Sequence, residues 1–316
     1  MFETANYKAC YKKQCNKSKA TKNKVAMLRQ KTKFAKKETF MKDLMYQSFH
    51  FTPAQAVNEQ LSALEELMCS LKERLKPKTI DEHDALEEYQ KSFLVRYVYN
   101  SASIEGTTLT QLDTALVLDG EFVPSDDKEV QDMFATKGCL EGYDFMLASL
   151  ENNVELSQDF IKDIHLRTAL DCQPRARGTY RIVPVQISGS KTVPVNPVKV
   201  RECMNDLLFF YENTTVHPVI AACAFHALFE NIHPFRDGNG RTGRTLLNYM
   251  LLKKDYPAIA VKNDDRKAYF AALQDWQVNF EPAPLIKMAI KNIMQEANNK
   301  LEVLEQTRAA VSASDL

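Results

Sequence analysis

A run of twelve residues, His233-Pro-Phe-Arg-Asp-Gly-Asn-Gly-Arg-Thr-Gly-Arg244, interrupts what would otherwise read as one long helical stretch. Upstream, Phe225 to Asn231 carries helical spacing, and Pro234 cannot continue that helix because it lacks an N–H and restricts the residue before it. Downstream, Leu246, Leu247 and Leu251 restore spacings of three and four from Arg241 onward. Gly238 and Gly240 allow positive φ and close backbone approach between the two. The chain must therefore form helix, tight loop and helix, with Asp237 to Gly240 at the N-terminus of the second helix and their amides outward. Unpaired N–H groups at the positive end of the helix dipole make an anion site. Arg241 and Arg244 lie three apart on the first turn, where the dipole disfavours cations unless an anion is bound, so a polyphosphate is the expected ligand. Asp237 is suited to holding Mg²⁺ through one carboxylate plus substrate oxygens. His233 has the proton affinity to accept a proton from a hydroxyl near neutral pH. Asn239 can donate its amide to a phosphate oxygen, and Phe235 reads as a core anchor.

Gly238-Asn-Gly-Arg-Thr-Gly243 also matches G-x-G-x-x-G letter for letter. A dinucleotide-binding turn needs a strand before the glycines and an acidic residue about twenty positions later in a βαβ unit. Here a helix precedes the glycines, which sets that reading aside.

The rest of the chain is mostly helical in pattern. Leu61, Leu64, Leu67, Met68 and Leu71 recur at spacings of three and four before Pro77, and a second helix is expected from Asp81 to about Tyr99. Further amphipathic stretches fall at about 126–151, 158–170, 197–212, 217–231, 241–254, 264–278 and 284–309. The exception is 180–195, whose β-branched residues flank Gly189-Ser190 and read as a short β-hairpin. No internal repeat is visible. The expected divisions are a basic leader over 1–43, N-terminal helices over 44–120, a core over 121–290 and a C-terminal helix or tail over 291–316.

Charge separates the leader from the remainder. The chain has 41 Lys+Arg and 41 Asp+Glu, but residues 1–43 hold 13 and 3 of them. That segment lacks an apolar period and reads as a solvated tail, with contact to nucleic acid or acidic lipid as the alternative. The seven cysteines are scattered without a C-x2-C pair, which speaks for a reducing compartment and against zinc. No apolar stretch reaches the length of a bilayer span, and the first residues show no apolar h-region, so a cytoplasmic protein is expected.

The twelve-residue run resembles the HPFx(D/E)GNGRxxR signature of the Fic family at every defined position. His217-Pro, Ala224-Phe-His226-Ala-Leu-Phe-Glu-Asn-Ile-His233 and Arg177-Gly-Thr-Tyr-Arg181 resemble that family's surroundings of the motif, over about 90–290. The resemblance implies an all-α Fic-type core with a β-hairpin flap, usually transferring AMP from ATP to a Ser, Thr or Tyr hydroxyl of a protein, the enzyme itself included. His233 would be the base, Asp237 the Mg²⁺ ligand, and Gly238, Asn239 and Gly240 the anion hole, within a phosphate-binding run that extends through Arg241, Thr242, Gly243 and Arg244. Arg244 would meet the γ-phosphate. Gln186, Ile187, Ser188 and Gly189 would belong to the flap that lines the nucleotide and aligns the target by strand addition. Tyr269 and Phe270 fall where relatives place an aromatic pair near the adenosine, or else face the core.

Ser101-Ala-Ser-Ile-Glu105-Gly106 resembles the (S/T)xxxE(G/N) inhibitory helix of the family in its class II arrangement, upstream of the core. Glu105 would occupy the Arg244 fork that a γ-phosphate needs, and Ser101 would support the helix end. In some relatives this Glu also assists removal of AMP. The alternatives are transfer of another nucleotide or phosphate-containing group, and a nucleotide-sensing regulator that binds nucleic acid through the leader. ATP and Mg²⁺ are the expected cofactors and a hydroxyl-bearing protein the expected partner. A second copy of the chain is a further candidate partner, whereas nucleic acid and membrane are not expected.

Overall fold

A computed structural model describes residues 40–314, so the expected leader lies outside the described residues except for 40–43. The chain divides into two units, Met1–Asp43 and Leu44–Leu316. The helices of the second unit are α1 (40–50, of which 44–50 fall within it), α2 (Gln55–Leu71), α3 (Ile80–Ile104), α4 (Gln111–Asp119), α5 (Asp127–Glu151), α6 (Gln158–Thr168), α7 (Val200–Glu212), α8 (Pro218–Ile232), α9 (Asn239–Leu252), α10 (Arg266–Gln274) and α11 (Ala283–Ser314). A π-turn over 275–279 prolongs α10. No helix is long and apolar enough to cross a membrane among the described residues.

The centre is α8, in which every residue from Val219 to Ile232 is buried. A helix buried on all sides must be wrapped by others. It packs against α7, α9 and α11, while α5 and α6 close the far side of α9. Residues Arg241 to Leu251 of α9 are likewise all buried, so the loop between α8 and α9 is gripped by two fixed ends.

The contact of α5 with α6 depends on missing side chains. A Cβ at Gly138 would stand 2.6 Å from the main-chain oxygen of Thr168. Because that obstacle is backbone, Gly138→Ala is expected to cost about 1–3 kcal/mol, measurable by denaturant unfolding.

Residues 180–195 depart from expectation. They fold back at Ser188-Gly189, where the Ser190 N–H meets the Ile187 carbonyl at 3.2 Å, yet no strand forms among the described residues. Pro184 and Pro194 each remove a ladder donor from opposite limbs, and the second limb is drawn elsewhere. Lys191 donates its N–H to Gln274 Oε1 at 2.8 Å and Thr192 its hydroxyl to Gln277 Oε1 at 2.6 Å. The segment is an irregular loop fastened to the end of α10.

Two other differences concern boundaries. α4 adds to the expected helices: Thr110 and Asp113 form a capping box, and Gly120 closes it at φ +77°. α11 runs unbroken through the division expected at 290/291.

Candidate active site

His233 ends α8 in the left-handed region, φ +52°, where a residue with a Cβ is held only by its surroundings. Arg181, 4% exposed, supplies them. Its Nε donates to the His233 carbonyl at 2.7 Å, and Nη2 donates to the carbonyls of Val195 at 2.6 Å and Ile232 at 3.2 Å. The Arg181 N–H caps the Pro234 carbonyl at 2.9 Å. His233 Nδ1 lies 3.3 Å from the Glu230 carbonyl, which can only accept, so Nδ1 carries the proton and Nε2 is left as a base. Burial pulls the imidazole down to about 4, so it is neutral at pH 7.

The loop is built from within. Asn239 accepts the Phe235 N–H at 2.9 Å and donates to the Phe235 carbonyl at 3.0 Å, which closes residues 235–239 into a ring. Its side chain therefore faces inward, contrary to the expected phosphate contact. Phe235 is fully buried, as an anchor should be, and its ring stacks on His165 with centroids 3.6 Å apart. Gly238, at φ +72°, turns the chain into α9. Asp237 is exposed, and its Oδ1 accepts the Gly238 N–H at 2.7 Å. Thr242 and Gly243 also face inward. Thr242 shares a hydrogen bond of 2.7 Å with Thr168, and a Cβ at Gly243 would fall 2.3 Å from Glu230 Oε1. They belong to the packing of the first turn, because one side of any buried helix must turn to its neighbours.

The two arginines separate to different carboxylates. Arg241, 3% exposed, is held by Asp171 through contacts of 2.7 and 3.0 Å, so its fork is already filled where a phosphate contact was expected. Arg244, equally buried, donates Nε to Ser101 Oγ at 3.1 Å and Nη2 to the Ser101 carbonyl at 2.7 Å and to Glu105 Oε1 at 2.8 Å. Ser101 lies in the last turn of α3 and Glu105 is its C-cap. A Cβ at Gly240 would stand 2.1 Å from that Glu105 oxygen, so the glycine provides the seat for the carboxylate. Arg244 Nη1 and Glu230 Oε1 are buried without a hydrogen-bond partner. Burial, with Glu105 nearby, pushes Glu230 up to about 8, which keeps a second negative charge out of the pocket at pH 7.

Residues 155–251, which span α6 to α9 and hold the loop together with Arg241 and Arg244, match the Fic/DOC family. That stretch is similar to the Fic/DOC family. The chain is 31% identical over 194 residues to a protein adenylyltransferase, fic-1, of Caenorhabditis elegans, covering 60% of this chain and 38% of that protein. A protein adenylyltransferase Fic of Drosophila grimshawi is 30% identical over 193 residues, 60% of this chain and 39% of that protein. The chain thus spans about two fifths of the length of these relatives. In fold it is similar to residues 134–508 of Fic-1 from C. elegans, with TM-score 0.69 and 23% identity over 80% of this chain and 74% of that one. A Fic-domain signaling protein of Bacteroides thetaiotaomicron gives TM-score 0.68 and 22% identity over 77% and 98%.

Around the Fic loop the remaining expected residues are dispersed. Gln186, Ser188 and Gly189 lie in the loop over 180–195 with little or partial cover, as does Ile187. Tyr269 is 1% exposed and its hydroxyl meets His226 Nε2 at 2.6 Å, so it faces the core. Phe270 is 39% exposed beneath the Arg266 guanidinium. His165, Asp171 and Glu230 are the residues that sequence reasoning passed over, the first two lying about seventy positions from their partners.

Proposed function

We propose that this chain is a protein adenylyltransferase, moving AMP from ATP to a Ser, Thr or Tyr hydroxyl of a protein, its own chain among the candidates. The observation that carries the reading is His233, fixed at the end of α8 with Nε2 free as a neutral base, five residues before the N-cap of a helix whose N-terminus suits anions. A target oxygen forms a bond to the α-phosphorus while the bond to pyrophosphate breaks. The hydroxyl proton goes to Nε2, and the leaving electron pair departs with pyrophosphate. The amides of Gly238 and Gly240 face the charge that develops on the phosphoryl oxygens.

Asp237 is the residue that would hold Mg²⁺. Its exposed carboxylate is the hard oxygen such an ion takes when most other ligands are phosphate and water, so the residue fits. Bound there, the ion would neutralise charge on the transferring group.

Glu105 acts as a brake in this reading. It fills the Arg244 edge that a γ-phosphate needs, and the neighbouring Ser101 keeps the guanidinium aimed at the site.

The test is label transfer in the full chain carrying Glu105→Gly, supplied with Mg²⁺ and, as target source, a heat-treated cell extract whose own kinases are inactivated. Label from the α-phosphate of ATP should appear on protein, and label from the γ-phosphate should not. Label from γ would instead mean phosphoryl transfer, and label from UTP but not ATP a different donor.

A further inference from the structure

The Asp237–Gly238 peptide presents an amide to the anion site, and something must decide which way that peptide faces. All peptides among the described residues are trans, so its carbonyl and its N–H point in opposite directions. Turning the plane over would exchange them, placing a carbonyl oxygen where the N–H now stands. Gly238 tolerates either sign of φ, so the loop itself presents no steric bar to that exchange.

The bar comes from α6. The Gly178 N–H donates to His165 Nδ1 at 2.9 Å, which makes Nδ1 an acceptor and leaves the proton on Nε2. Nε2 lies 2.9 Å from the Asp237 carbonyl and donates to it. The ring is 1% exposed and clamped flat against Phe235 at an interplanar angle of 5°, so neither edge can swing away. With the carbonyl held inward, the Gly238 N–H faces outward, where its present acceptor is the exposed Asp237 carboxylate.

We propose that His165 is the positioning residue of the anion site, holding the Asp237 carbonyl inward and thereby aiming the Gly238 N–H of the same peptide at a bound phosphate. The inference rests on the transferase reading. Asp237's carboxylate accepts from that amide in the free protein, and a phosphate takes its place when the carboxylate is drawn to a cation.

The experiment uses the full chain carrying Glu105→Gly as parent and measures binding by calorimetry, with ADP plus Mg²⁺ as one probe and adenosine as the other. His165→Phe keeps the stack on Phe235 and loses the donor. ADP affinity is expected to fall about tenfold, the scale of one lost hydrogen bond to a charged group. His165→Gln returns an N–H to the Nε2 position and should recover ADP affinity to within about threefold of the parent. Adenosine, which carries no phosphate, should bind all three alike. Should the Phe variant not fold, His165→Asn replaces it, since its amide reaches only the Nδ1 position, and the same drop is expected.

ADP binding unchanged in the variant without the donor overturns the proposal. So does an equal fall in the Gln variant, or a parallel loss of adenosine, which would mark collapse of the pocket. A parent that binds neither ADP nor ATP defeats the transferase reading and this inference with it. A parent that binds ADP, with no difference among the variants, defeats the inference alone.

Discussion

His233→Ala, made in the chain that already carries Glu105→Gly, is expected to lower AMP transfer by about 10²- to 10⁴-fold while ATP binding stays within about twofold, because general-base removal acts on the chemical step. The separation follows from the geometry. His233 sits on the α8 side of the loop, and the anion donors sit on the α9 side, so the imidazole can be deleted without touching the helix N-terminus. Quench-flow of label transfer alongside calorimetry of ATP binding would check both halves. Loss of binding in step with rate would show that the residue holds the loop and is not the base.

The same residue sets the sign of a pH dependence. In the proposed transferase the active form is neutral, and burial pulls His233 down to about 4, so its own titration is expected to leave the rate flat from neutral pH to about 5 and to lower it below that. The fold weakens over the same interval. His165 is held at about 4 and His226 at about 3, each below the ordinary histidine value, so the unfolded chain binds more protons than the folded one in acid. That stabilisation is complete above pH 6.5 and is lost as pH falls through about 4 for His165 and about 3 for His226. Rate must therefore be scored per folded molecule, with circular dichroism read at each pH.

How much of the site was legible in the sequence depends on the range of each interaction. The helix, loop and helix around Pro234 could be read because the constraints are local: a missing N–H, two permissive glycines and leucines at spacings of three and four. Arg244 and Glu105 could be paired only through a resemblance, since 139 positions separate them. His165 and Asp171 had no local signal at all, and their roles exist only once α6 lies against α9. The expectation of a hairpin over 180–195 gave weight to β-branched residues and too little to Pro184 and Pro194. For Asn239 the residue type, and for Thr242 and Gly243 the resemblance, implied phosphate contact, but the first turn of a buried helix has an inner face as well as an outer one.

Glu105→Gly is expected to raise the transfer rate by about 10- to 100-fold, the range corresponding to one charge-assisted hydrogen bond. Arg244 is the reason the effect should be an increase. When Glu105 is removed, the guanidinium keeps its bonds to Ser101 Oγ and the Ser101 carbonyl, so it stays aimed at the site with Nη2 open to a phosphate. The seat over Gly240, occupied by the Glu105 carboxylate, is vacated at the same time. The cost to the fold is small, because the Glu105 side chain is 36% exposed and its backbone, at φ −84°, makes no demand for glycine. Glu105→Ala should therefore activate as well as Gly, which separates loss of the carboxylate from added chain freedom. The decisive measurement is the initial rate of label transfer from α-labelled ATP at equal concentrations of the parent chain and both variants, each shown to melt within a few degrees of the parent. A folded variant no faster than the parent would leave the Glu105–Arg244 pair as a structural contact, whereas activation by Gly without Ala would move the cause from the carboxylate to the backbone at the end of α3.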